Sequence, residues 1–356
     1  MDYGLAPAPR EQGWKKFVLA LAAFLLMSAI PALAAAVPVE DTAVLLLPVI
    51  AACFIAGWWA GGRFVLAVIW VALAAWLLAA PAAPGAAAYR DLASGWGLIL
   101  AASFGVVCLA GTDRRPFLHR ALSAIGIAIL MSLLLLAVSH DGAHHAQSVF
   151  AEQFAVRNQR WAASVQSYMQ QLGVQAPAPG ANGGGVTSEY LQWLSTYAQR
   201  LNAYSAIMVT VYPAMLALES LMALALGWGL YHRLSRARLG PPLASLKVFT
   251  FNDQLIWGLV VGLTFVLLPS FASVAVVGRN LLLFFGALYA LRGLGILAWV
   301  ARRASRWTLA GLIMVGVLFW PIVLAVALAF GISDTWADWR TRMQAAMPPG
   351  RHGSPS

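Results

Sequence analysis

The chain has 356 residues, of which 61% are hydrophobic and 10% charged, with a mean hydropathy of +0.76 and a formal net charge of +10. Soluble domains carry about 25% charged residues, so this composition excludes a globular protein solvated over its whole surface. The 23 Lys and Arg residues gather in small clusters at the ends of apolar blocks, with no basic arm, which excludes nucleic-acid binding and points to membrane orientation signals.

Each apolar block approaches the roughly 20 residues that cross a hydrocarbon core, and none alternates in polarity as a barrel strand would. Backbone inside lipid must satisfy its own hydrogen bonds, so each block reads as a helix. Nine spans are predicted near 16–37, 42–60, 64–80, 92–111, 118–138, 204–230, 254–277, 280–300 and 307–330. The first is preceded by Lys15 and Lys16 and ends in Pro31-Ala32-Leu33-Ala34, a pattern shared with cleaved signal peptides. Its continuation to Val37 favours an uncleaved span. Cys53 and Cys108 lie inside apolar blocks without CxxC or Cys/His spacing and read as packing residues.

With the N-terminus inside, fourteen Lys and Arg residues fall in cytoplasmic segments and eight outside, so the positive-inside rule selects that orientation. The expected location is the cytoplasmic (inner) membrane, with multiple passes through the lipid bilayer. One sizeable segment, 139–203, stays out of the bilayer. Asp141 heads a helix from about 143 to 172, with Phe150, Phe154, Trp161, Val165, Tyr168, Met169 and Leu172 largely on one face. APAPGANGGG (176–185) forms a flexible turn, and a second amphipathic helix from Thr187 runs into the sixth span. The fold class is thus all-α, a polytopic transmembrane bundle with an extracytoplasmic helical hairpin. Its regions are 1–138 with five spans, the hairpin 139–203, 204–330 with four spans, and a polar tail 331–356.

Charges inside spans each cost about 2.5–3.5 kcal/mol at mid-span and are the strongest pointer to function. Glu219 lies six residues after Pro213 in the sixth span, and Arg292 lies in the eighth. Their depths differ by about one helical turn, so they can meet. Such a pair either fixes helix register or forms the polar floor of a substrate or proton path, which Tyr204, Thr210, Tyr212, Asn280 and Tyr289 would line. His140, Asp141, His144 and His145 form an HDGAHH cluster, but no HExxH or distant Cys/His set completes a metal site. Asp253, after Asn252, reads as a helix cap. Phosphate-binding loops and nucleophilic triads find no match, so no catalytic residue, cofactor or metal is predicted and the reading is non-enzymatic. Small residues such as Ala20, Ala22, Ala23, Gly57, Gly61 and Gly62 suit close helix packing or docking against a membrane-protein partner.

YPAMLALES (212–220), RARLGPPLASLKVF (236–249), GRNLLLFFGALYALRGLGILAW (278–299) and GISDTWADWRTR (331–342) together resemble the YybS-like family of uncharacterised bacterial polytopic membrane proteins. The resemblance covers about 200–342 and rests on Pro213, Leu239-Gly240, Phe249, Asn280, Tyr289, Gly293, Gly331, Asp334, Arg340 and Arg342. Where a Gln is expected before Gly293, this chain has Arg292. The resemblance implies no established activity. It implies a core similar to the substrate-binding subunits of energy-coupling-factor vitamin transporters, which bind a small molecule from outside and dock on a partner. The leading expectation is a small-molecule ligand bound or transported at mid-membrane. The alternative is a cell-envelope scaffold acting through membrane-protein partners.

Overall fold

A computed structural model describes residues 13–29, 37–82, 85–110, 115–139, 142–171, 186–246, 249–301, 314, 316, 318–339 and 342. Among them the secondary structure is helical, with α1 (Trp14–Leu26), α2 (Ala43–Trp59), α3 (Phe64–Ala79), α4 (Ala87–Ala110), α5 (Phe117–Val138), α6 (Gly142–Gln171), α7 (Val186–Leu234), α8 (Ile256–Leu267), α9 (Ala275–Val300) and α10 (Trp320–Ala337). Five helical stretches are long and apolar enough to cross a membrane: Ala87–Ala110, Phe117–Val138, Ile207–Leu234, Pro269–Val300 and Trp320–Ala337. Ala43–Trp59, Phe64–Ala79 and Asp253–Leu267 are apolar but shorter.

Local chemistry sets the boundaries that differ from expectation. The block 254–277 is not one helix. Leu268 turns extended (φ −87°, ψ 121°) because the following Pro269 disfavours the helical conformation, and a 3-10 turn over Pro269–Val274 leads into α9. The last described helix runs on to Ala337, where Asp338 closes it in the left-handed conformation (φ 41°). Gly331 and Asp334 therefore belong to α10 rather than to a polar tail, and both face inward. The helix expected at 143–172 is α6. The second amphipathic helix and the sixth span are one element, the 49-residue α7.

The chain divides into two compact units, Met1–Leu243 and Ala244–Ser356. In the first, α2 is the centre, packed by α3, α4 and α7. It is apolar all round, as a helix enclosed by others must be, and Leu45, Val49, Ile50 and Cys53 are fully buried. Small residues let the backbones approach: a Cβ on Gly97 of α4 would stand 2.6 Å from the Val44 carbonyl oxygen, and one on Gly227 of α7 would stand 2.8 Å from Val49. Gly57 lies under the ring of Tyr231. The opposite faces of α3 and α5 leave Val65, Trp76, Leu130, Leu133 and Leu135 exposed, a surface suited to lipid.

In the second unit α9 packs between α8 and α10. Gly262 and Gly278 face each other, and a Cβ on Gly278 would stand 2.8 Å from the Gly262 carbonyl oxygen. At the α9–α10 crossing, a Cβ on Gly293 would run into the Ala327 carbonyl, and one on Gly331 into the Tyr289 carbonyl. Only hydrogen fits at those two positions.

Candidate functional site

The polar site of the first unit is built around a short non-helical stretch, Val37–Asp41, which leads into α2. Such backbone has unpaired N–H and C=O groups, and beside apolar helices they need partners. Three helices supply them. From α4, the Tyr89 hydroxyl donates to the Pro38 carbonyl (2.5 Å) and accepts from the Glu40 N–H (3.0 Å). From α6, Arg157 donates to the Val37 carbonyl and to Glu40 Oε1, each at 2.8 Å, while Gln153 donates to the same Glu40 oxygen at 3.0 Å. From α7, Glu219 Oε2 accepts the Val39 N–H at 3.0 Å.

Glu219 is only 1% exposed, and its second oxygen, Oε1, is buried without a hydrogen-bond partner among the described residues. Tyr212 lies seven positions earlier, on the same face of α7 two turns away. It is 6% exposed, and its hydroxyl is likewise buried and unmatched among the described residues. Its ring packs on Phe150 (centroids 3.8 Å apart) and edge-on against Phe154 (6.2 Å), and Phe150 meets Tyr89 at 6.0 Å. These contacts account for Phe150 and Phe154 of the apolar face expected on α6. The next residue along the helix, Ser220, is matched: its hydroxyl accepts from Trp96 Nε1 at 2.9 Å. Pro213, beside Tyr212, removes the N–H that would bond the Val209 carbonyl, so the main chain is loosened beside the site.

A second cluster closes the end of α7. Trp228 Nε1 donates to the Pro241 carbonyl (3.1 Å), the Tyr231 hydroxyl to the Ala237 carbonyl (2.8 Å), and His232 Nε2 lies 3.0 Å from the Gly240 carbonyl. One helical turn thus fastens the 236–243 segment that carries the Leu239-Gly240 motif.

The second unit pairs its buried Arg292 with two carboxylates. Arg292 Nε donates to Asp334 Oδ2 at 2.9 Å and Nη1 to Asp253 Oδ1 at 2.6 Å, with the guanidinium 5.3 Å from the Phe251 ring centroid. Asp334 Oδ1 accepts the Trp339 N–H at 3.0 Å. Arg292 of the second unit draws counter-charges from Asp253 and Asp334, and Glu219 of the first accepts a backbone N–H. One expectation is corrected here. Asp253 is an ion-pair partner, because the capping oxygen is that of Asn252, which accepts from the Gln254 N–H at 3.0 Å.

Of the other residues singled out, Tyr289 is buried with its ring 5.0 Å from that of Phe251, which itself meets Phe249 at 5.8 Å. Asn280 Nδ2 donates to the Val276 carbonyl within α9. His144 and His145 are exposed on α6. His140, Asp141 and Arg340, like the side chain of Tyr204, lie outside the described residues. Sequence reasoning missed Val37–Glu40, Tyr89 and Arg157. Glu40 and Arg157 were visible only as outer charges, and their separation of 117 positions hides their pairing.

The family described as "Predicted membrane protein (DUF2232)" matches residues 18–335, extending the likeness seen at 200–342 through the first unit. Comparison with curated proteins and with solved structures finds no match.

Proposed function

Because the chain belongs to the DUF2232 family of predicted membrane proteins, whose description carries no activity, we propose a function from its own residues: it binds a small solute through the Glu219 face of α7. In this reading it is a multi-pass protein of a bacterial cytoplasmic membrane, with nine spans and a cytoplasmic N-terminus. The α6 helix and the first half of α7 stand outside as a hairpin, and the solute is bound for uptake or for transfer to a membrane-protein partner.

The observation that carries the reading is the pair of unmatched polar atoms, Glu219 Oε1 and the Tyr212 hydroxyl, buried on one helix face. An unpaired buried polar group costs about 1–3 kcal/mol, and more when charged. The neighbouring Ser220, Glu40 and Tyr89 each have a hydrogen-bond partner, which sets Glu219 and Tyr212 apart from the residues around them. A bound molecule removes it.

The second reading, a cell-envelope scaffold, draws support from the other unit, where Arg292 and Asp334 satisfy each other as in a packed interior. The two readings separate on the detergent-solubilised full chain. Mass spectrometry of small molecules released on denaturation should find a solute near one per chain in the parent and little in Glu219→Gln. Release of none from the parent, or equal amounts from both, overturns solute binding and leaves the scaffold. Reporter fusions at the N-terminus and within 176–185 should read inside and outside respectively.

A further inference from the structure

The solute-binding reading leaves the chemistry of the ligand open, and the residues around Glu219 restrict it. We infer that the Glu219–Tyr212 face takes a small solute carrying a protonated amine.

The argument starts from Glu219. Its Oε2 is committed to the Val39 N–H, and its Oε1 has no hydrogen-bond partner among the described residues. Those residues satisfy neither ionisation state. As a carboxylate, Oε1 lacks a donor and the charge feels Arg157 without being paired to it; as a carboxyl, a proton on Oε1 lacks an acceptor. The cation that acts on Glu219 is Arg157, and its hydrogen bonds go to Glu40 Oε1 and the Val37 carbonyl, both at 2.8 Å. The charge balance closes the same way. Glu40 is offset by Arg157, and Asp41 faces Arg90 at 3.9 Å, while Glu219 is a buried acid without an ion pair among the described residues. A buried carboxylate is tolerated when paired and hydrogen-bonded, so the complement is one positive charge bearing N–H donors.

The remaining walls agree. Tyr89, Phe150, Tyr212 and Phe154 pack in series, and aromatic rings attract cations where they do nothing for a carboxylate, as the Arg157 guanidinium 5.0 Å from the Phe154 ring centroid illustrates. The unmatched Tyr212 oxygen can accept a second N–H. An anionic solute would instead bring like charge to Glu219, and a neutral alcohol would donate one hydrogen bond but leave the charge uncompensated.

The inference rests on the solute-binding reading, and three probes of one skeleton separate their fates. Benzylamine, benzyl alcohol and benzoate are titrated into the purified full chain in lipid nanodiscs, with binding followed by calorimetry. Benzylamine should bind at least tenfold tighter than the other two. Glu219→Gln should weaken it at least tenfold, and Tyr212→Phe several-fold. Where Glu219→Gln fails to fold, Tyr212→Phe, which keeps the ring, carries the comparison. Equal binding of amine and alcohol, or amine binding indifferent to both substitutions, overturns the amine assignment. Benzyl alcohol or benzoate binding that depends on Glu219 and Tyr212 overturns the amine and keeps solute binding, as does a co-purifying solute without an amine. No probe bound and no solute co-purified overturns both.

Discussion

Asp334→Leu should be among the most damaging single substitutions in the second unit. The Asp334 side chain is 3% exposed and that of Arg292 6% exposed, and they are joined at 2.9 Å. Removing the carboxylate leaves a buried guanidinium whose remaining counter-ion, Asp253, is 56% exposed and screened by its surroundings. Breaking a buried pair by deleting one partner costs about 3–5 kcal/mol, whereas a largely exposed partner contributes about 0–1 kcal/mol. Asp334→Leu should therefore destabilise by about 4 kcal/mol and Asp253→Asn by less than about 1 kcal/mol. The double variant Arg292→Met with Asp334→Leu removes both charges and replaces them with apolar side chains. It should be more stable than either single variant, giving a coupling energy near 3 kcal/mol. The assay is reversible unfolding in mixed micelles, followed by tryptophan fluorescence. Trp339 reports locally, since its N–H caps Asp334 and its indole donates to Ser333 at 3.0 Å. Additive single and double effects, or equal losses from Asp253→Asn and Asp334→Leu, would refute the assignment of Asp334 as the principal partner.

Other expectations follow from packing. Gly293→Ala and Gly331→Ala each place a methyl against a backbone carbonyl that cannot rotate away, and should lower the thermal midpoint by the equivalent of about 3 kcal/mol or more. Gly286→Ala on the same helix meets open space, and should raise stability by about 0.5–1 kcal/mol through helix propensity alone. Tyr89→Phe removes two hydrogen bonds from the 38–40 backbone, so proteolysis or hydrogen exchange there should rise by the equivalent of about 1–2 kcal/mol, with α9 and α10 unaffected. Cys53 and Cys108 are both buried and should resist maleimide in the native state and react on unfolding, which also supplies an independent stability readout.

Composition and periodicity carried most of the helices, because a backbone in an apolar block has one way to satisfy itself. The continuity of α7 was legible from Tyr190, Leu194, Tyr197 and Leu201 stepping at helical spacing into the sixth span. The isolated charges Glu219 and Arg292 were legible too, since each is costly in its block. Their partners were not. Glu219 is held by a main-chain N–H 180 positions away, and an amide carries no residue-type signal. Asp334 stood out only through family likeness, and Asp253 looked like a cap because Asn252 beside it is one. The break at Leu268 was foreshadowed by Pro269 but masked by the unbroken apolar run around it.

The contact between Glu219 and Val39 has a genetic consequence. Its donor belongs to the peptide unit, so exchanging the valine for almost any other residue leaves it in place. A mutational scan of 37–40 would score Val39 by its burial alone and pass over its role as the anchor of a buried acid. Proline is the one coded residue without that hydrogen, so a site tolerant of Ala, Ile and Thr but intolerant of Pro is the expected signature. The same pattern should let a chain drift at this position while keeping the acid fixed.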